Sequence, residues 1–130
     1  MGSIAVTQLD FNRLEKLAYR LRTRDQQPTL ASALEDELER AEILDPQQVP
    51  VDIVTLNSET TVRDLTTDEV EILRVVFPGG AGPRKGAISV LAPLGLALLG
   101  ARIGDEVSWE MPGGSRRLRI ERIAHQLEAA

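Results

Sequence analysis

The chain has 130 residues, 15 basic and 20 acidic, for a net charge of −5, with 42% hydrophobic residues. That is enough for one core and the wrong sign for a general nucleic-acid coat. The absence of cysteine excludes disulfides, thiolate nucleophiles and Cys-ligated zinc.

The start, Ile4-Ala5-Val6, has neither the basic region nor the long apolar run of a signal peptide. The longest apolar run, Leu94 to Leu99, falls far short of the roughly 20 residues that span a bilayer. A cytoplasmic protein is expected.

Residues 8–45 are rich in Leu, Ala, Arg and Glu, with Pro28 as their only Gly or Pro. Phe11, Leu14, Leu17, Ala18 and Leu21 fall at helical spacing and predict a helix from Asp10 to Arg24. After Asp25-Gln26-Gln27-Pro28, Thr29 is the expected N-cap of a second helix, Leu30 to Leu44, with Leu30, Leu34, Leu38 and Ala41 in its stripe. Two amphipathic helices joined by so short a loop predict an antiparallel hairpin, a short coiled coil. Residues 10–24 carry five cations and two acids; residues 30–45 carry six acids and one Arg. Ion pairs flanking the seam, or simply solvated faces, fit this pattern equally.

Pro46 and Pro50 mark a change of composition. Beyond them Val, Ile and Thr alternate with turn residues, predicting strands at Val51–Leu56, Thr60–Leu65, Val70–Phe77, Ala87–Leu91, Val107–Glu110 and Arg117–Ile123. Pro93 suits the first turn of a helix over Leu94–Leu99, apolar all round and expected to be buried, with Gly100 as its left-handed stop. The expected fold class is α+β: a hairpin at residues 8–45 and a domain at 49–126 with five to six strands around a short helix.

Chemistry is sparse. His125 alone is suited to neutral-pH base work, and it sits near a fraying end. Asp68-Glu69 and Asp105-Glu106 are adjacent carboxylates that a turn or strand points apart, so no catalytic pair is expected. The Gly79 to Gly86 stretch lacks the Gly-Lys-Ser/Thr ending of a phosphate-binding loop and reads as a flexible loop, whose Arg84-Lys85 pair suits an acidic contact. Trp109 reads as sheet packing.

Several segments carry a specific resemblance: Asp52-Ile53-Val54-Thr55-Leu56-Asn57-Ser58, Arg63-Asp64-Leu65, Val76-Phe77-Pro78, Ile88-Ser89-Val90-Leu91-Ala92-Pro93, Ala97-Leu98-Leu99-Gly100, and Arg102 through Trp109 to Gly114. Together they resemble the Rnk family, regulators of nucleoside diphosphate kinase related to the Gre transcript-cleavage factors. The resemblance implies an FKBP-like C-terminal domain beside an antiparallel coiled coil. In Gre factors that domain docks on RNA polymerase, and acidic residues at the tip of a long coiled coil help hold a catalytic Mg²⁺. Rnk-type members have a shorter arm and compete for the same site. The tip here, Arg24, Asp25 and Gln26 with Arg22 nearby, offers one carboxylate among cations, whereas protein-held Mg²⁺ takes at least one or two carboxylates in open water, not one beside Arg24.

The resemblance places polymerase docking at Ser89, Leu91 and Pro93, with Gre proteins carrying an acidic residue where this chain has Leu91. Prolyl isomerisation is not expected, because Phe77 and Trp109 are too few aromatics for its pocket. The expected role is a non-enzymatic RNA polymerase-binding regulator, with no cofactor, no metal, no membrane, a possible contact with the nucleic acid of the transcription complex, and a monomeric or dimeric state. Two alternatives stay open. One is a regulator acting on nucleoside diphosphate kinase through the acidic second helix. The other is a true cleavage factor with Asp25 as tip acid.

Overall fold

The computed structural model describes residues 3–78, 86–111 and 113–124. Strand β1, Ala5–Thr7, runs directly into helix α1, Gln8–Thr23. The hydroxyl of Thr7 caps α1 by accepting the Asp10 N–H at 3.3 Å. Asp10 in the first turn and Arg20 and Arg22 in the last suit the helix dipole. Leu14, Leu17, Ala18 and Leu21 are buried, as their spacing predicts.

Helix α2, Pro28–Glu39, departs from expectation at both ends. It begins at Pro28, not Leu30, with Gln27 in place of Thr29 as N-cap. Pro is favourable in that first position, where its missing N–H has no helical partner to lose. The helix ends at Glu39, not Leu44, because Glu42–Leu44 form strand β2, parallel to β1 with Val6 opposite Ile43. The Glu42 N–H donates to the Ile4 carbonyl at 2.9 Å. Ile4, Ala5 and Val6 are buried, so their backbone must find partners, and β2 supplies them. The hairpin thereby serves as the crossover of a parallel strand pair. Its buried stripe is Ala31, Leu34 and Leu38, with Leu30 only half-buried.

The expected strand at Val51–Leu56 does not form; only an isolated antiparallel bridge joins Ile53 to Arg102. The segment instead follows the chain after the third helix: Val54 N–H donates to Ala101 at 2.8 Å and Gly100 N–H to Val54 at 2.9 Å. Pro50 in front, and Gly100 and Gly104 at φ +85° and +94° opposite, bend both chains too sharply for a ladder.

The main sheet contains β3 (Glu59–Asp64), β4 (Val70–Val76), β5 (Ala87–Ser89), β6 (Glu106–Met111) and β7 (Gly114–Ala124), in the order β5-β4-β3-β7-β6. The β4–β5 pair is parallel and the others antiparallel. Helix α3, Pro93–Leu98, touches β4 and β5 at one end of the sheet and β6 at the other, so the sheet curls around it. Gly95 and Leu98 are buried, as is Leu99 just beyond. Leu94 and Leu96 are half-buried and Ala97 is exposed, so α3 is not buried all round.

Alternation along β3 turns Thr60, Val62 and Asp64 inward. Val62, Leu73, Val75, Val107, Leu118 and Ile120 form one apolar cluster with Ile4, Leu14, Leu34 and Leu38, so the core is continuous from hairpin to sheet. Most of the Gly79–Gly86 loop, His125 and the Trp109 side chain lie outside the described residues. No helix among the described residues is long and apolar enough to cross a membrane.

Candidate docking surface and hairpin tip

The tip is built by α1 ending and α2 starting within a few residues. The Arg24 N–H donates to the Arg20 carbonyl at 2.8 Å and the Gln27 N–H to Leu21 at 2.8 Å, while Gln26 takes a left-handed φ of +51°. With 16 residues, α1 is about 24 Å long. Asp25, the carboxylate of this turn, lies 3.8 Å from the Arg20 guanidinium. Both are substantially exposed, and such a pair contributes at most about 1 kcal/mol. Its consequence is electrostatic: the tip carboxylate already faces a cation. Among the described residues no group of three or more His, Asp or Glu side chains could hold a metal. The cation-holding tip of Gre factors does not fit the residues here.

Ser89, Leu91 and Pro93 come together on the single turn between β5 and α3. Ser89 Oγ accepts the Leu91 N–H at 3.1 Å, and the Ser89 carbonyl accepts the Ala92 N–H at 3.0 Å. Val90, fully buried, donates its N–H to the Val76 carbonyl at 2.8 Å and anchors the turn to the sheet. Pro93 opens α3 and is exposed, while Ser89 and Leu91 are half-buried. The turn is tight because Gly95 sits against the Ser89 carbonyl, where any Cβ would overlap that oxygen. The tip residues Arg24, Asp25 and Gln26 occupy a different place, between α1 and α2.

Pro93 also borders a cleft of about 560 Å³ whose far wall includes Glu37 and Arg40 from the end of α2. Glu37 and Arg40 pair with each other at 2.8 Å. Sequence reasoning gave no sign of this wall, since only the folded chain brings α2 to α3. It equally missed the Arg13 guanidinium, 4.0 Å from the centre of the Phe77 ring, which ties α1 to the chain just beyond β4.

The adjacent-acid motifs prove structural. Asp68, at φ +65°, pairs with Arg63 at 3.2 Å, and Asp105 accepts the Arg102 N–H at 2.9 Å in a turn. Asp64, buried on the inner face, is held by the Arg116 guanidinium and accepts the N–H groups of Thr66 at 2.8 Å and Thr67 at 3.2 Å. Arg116 first, then those two amides, keeps its carboxyl below the usual carboxylate range.

The family described as transcription elongation factor, GreA/GreB, C-terminal, matches residues 48–125, and the Rnk N-terminus family matches residues 3–44. The chain is 37% identical over 134 residues to the regulator of nucleoside diphosphate kinase of Escherichia coli strain K12, covering 98% of this chain and 93% of that one. It is 38% identical over 93 residues to the transcription elongation factor GreA of Nautilia profundicola, covering 72% of this chain and 57% of that protein. Among solved structures, the prokaryotic transcription elongation factor GreA/GreB from Nitrosomonas europaea is similar with a TM-score of 0.77 at 37% identity, covering 96% of this chain and all of that one. GreA factor homolog 1 of Thermus thermophilus matches with a TM-score of 0.51 at 26% identity, over 95% of this chain and 100% of that one. A Rnk-type N-terminus joined to a Gre-type C-terminal region makes this chain a member of the Rnk family of Gre-related regulators.

Proposed function

We propose that the protein is a non-enzymatic regulator that binds RNA polymerase, competes with Gre-type factors at the secondary channel, and does not stimulate transcript cleavage. The observation that carries this reading is the tip: a hairpin of about 24 Å whose turn presents one carboxylate, already facing Arg20. Relatives named as transcription elongation factors supply the partner class. On this reading the segments 8–45 and 49–126 divide the work. The second docks through Ser89, Leu91 and Pro93, and the first fills space near the channel without supplying a metal ligand. The protein then acts in the cytoplasm as a monomer, and any nucleic-acid contact is secondary to the protein contact.

The test is competition for core polymerase against a Gre factor, followed by transcript cleavage on stalled complexes. The expected outcome is displacement of the Gre factor with no added cleavage. Pro93→Ala and Leu91→Ala should each weaken binding, while Asp25→Ala should change nothing. Cleavage that disappears with Asp25→Ala would establish the opposite role.

A second reading, direct action on nucleoside diphosphate kinase, has the name of the Escherichia coli relative in its favour. Purified protein added to that kinase should leave its rate unchanged if polymerase is the direct partner.

A further inference from the structure

The hairpin has a second face that the polymerase-docking reading does not use. Between α1 and α2 runs a groove of about 600 Å³ with Phe11, Ala18 and Leu38 in its lining. Tyr19 stands on its rim at 70% exposure. Both walls also carry acids: Glu15 from α1, and Glu35, Asp36 and Glu39 from α2.

These carboxylates are not equivalent. Near the tip, Arg22 reaches across the groove, bonding Glu35 at 2.5 Å and the Ser32 hydroxyl at 3.0 Å. Farther from the tip Glu39 follows Glu35 at i,i+4, a like-charge pair that destabilises an isolated helix. No ion pair within the described residues offsets Glu15, Asp36 or Glu39. One end of the groove thus contains its own guanidinium, and the rest repeats the acidic wall, the apolar lining and the aromatic rim without a cation.

We infer that this groove docks an amphipathic helix of a partner protein, with apolar side chains toward Phe11, Ala18 and Leu38 and Lys or Arg side chains toward Glu15, Asp36 and Glu39. Arg22 on Glu35 is the internal example of the contact such a partner would repeat. Tyr19 supplies a ring face for an alkyl stem or a guanidinium. The docked helix completes a three-helix arrangement over the groove in which Phe11, Ala18 and Leu38 border the core, the usual mode of helix-in-groove recognition.

The test uses the full chain and a fluorescent model helix with Leu on one face and Lys on the other, read by anisotropy at low and moderate salt. Micromolar binding is expected, with amide shifts centred on Phe11, Tyr19 and Leu38. Glu15→Gln, Asp36→Asn and Glu39→Gln combined should weaken it by about tenfold. Thermal melts should show this triple variant folded, since it removes repulsion. A control triple, Glu42→Gln, Glu69→Gln and Glu71→Gln, removes the same charge from exposed sites elsewhere and should leave the affinity within about twofold. Tyr19→Ala, which keeps every charge, should also weaken binding. Equal losses in the two triples, shifts scattered over the chain, or no binding by the wild type would each overturn the inference. No polymerase enters the assay, so its failure and failure of the polymerase reading are separate results.

Discussion

The helical hairpin and the curled sheet bury similar side chains by different routes. In the hairpin, Leu14, Leu17 and Leu21 meet Ala31, Leu34 and Leu38, all within one short stretch of chain joined by one turn. In the sheet, β3 pairs with β7, bringing Thr60 opposite Ile123, and the layer closes only because α3 touches both of its ends. Contacts local in sequence let a helix pair lengthen by whole turns at its tip while its base stays packed on the shared core. Non-local contacts do not: the Ser89–Pro93 turn is held by Val90 on Val76 and by Gly95 under the Ser89 carbonyl, so it cannot drift. The reach of the arm is therefore the adjustable property of this architecture, and the turn its fixed one.

The joint between the two regions is where this contrast is most easily broken. Strand β1 passes over Gly100, whose φ is +85° and whose missing Cβ leaves room for the Ser3 carbonyl and the Ala5 amide. Gly100→Val combines a left-handed penalty with a backbone clash, for an expected loss of about 4 kcal/mol in urea denaturation. Because the core is continuous across the joint, the wild type should unfold in one transition. In the variant, hairpin amides should exchange before those of β3. A slightly smaller effect, about 3 kcal/mol, is expected for Leu34→Ala, which opens a cavity at a fully buried site. Its loss of amide protection should extend into β3. Loss confined to α1 and α2 would mean that the two regions are energetically separate.

The same contrast explains what was legible in the sequence. The stripe of α1 could be read directly, because helical spacing reports a face buried by its neighbour. So could the strands that became β3, β4 and β7, and the left-handed Gly100. The β1–β2 pair could not: three residues apiece carry too little pattern, and Glu42–Leu44 fall within the span expected for the second helix until the Ile4 carbonyl takes the Glu42 N–H. Val51–Leu56 has strand composition and buries Ile53, Val54 and Leu56, yet its hydrogen bonds go to the bend after α3. At the candidate site, Ser89, Leu91 and Pro93 were named through resemblance. The bonds that hold their turn, and the α2 wall opposite Pro93, exist only in the folded chain.

Within the sheet, the polar side chains of the inner face sharpen the comparison further, since the hairpin buries none. Asp64 is the charged one. Its carboxyl is held below the ordinary range, so the folded state binds a proton less readily than the unfolded chain. Its contribution is complete above the unfolded value of about 4 and is lost as pH falls through the lower folded value. The urea midpoint of the wild type should therefore hold steady at mildly acidic pH and fall below about pH 4. Asp64→Asn should start lower at neutral pH and lose less on acidification. A midpoint that falls equally in both proteins would assign the acid sensitivity to other carboxylates.

The smallest expected effect belongs to Thr60, four residues earlier on the same strand. It is 1% exposed, and its hydroxyl has no hydrogen-bond partner among the described residues. A buried hydroxyl left unpaired has lost its water for nothing, so the usual penalty for Thr→Val, a stranded partner, does not arise here. Val also keeps the branched shape that the pleated face packs well. Thr60→Val should change stability by no more than about 1 kcal/mol, in the stabilising direction, as measured by the urea midpoint at neutral pH. The same change at Asp64 would strand Arg116 and two amides, which is why two inward polar residues on one strand should answer to substitution with opposite signs.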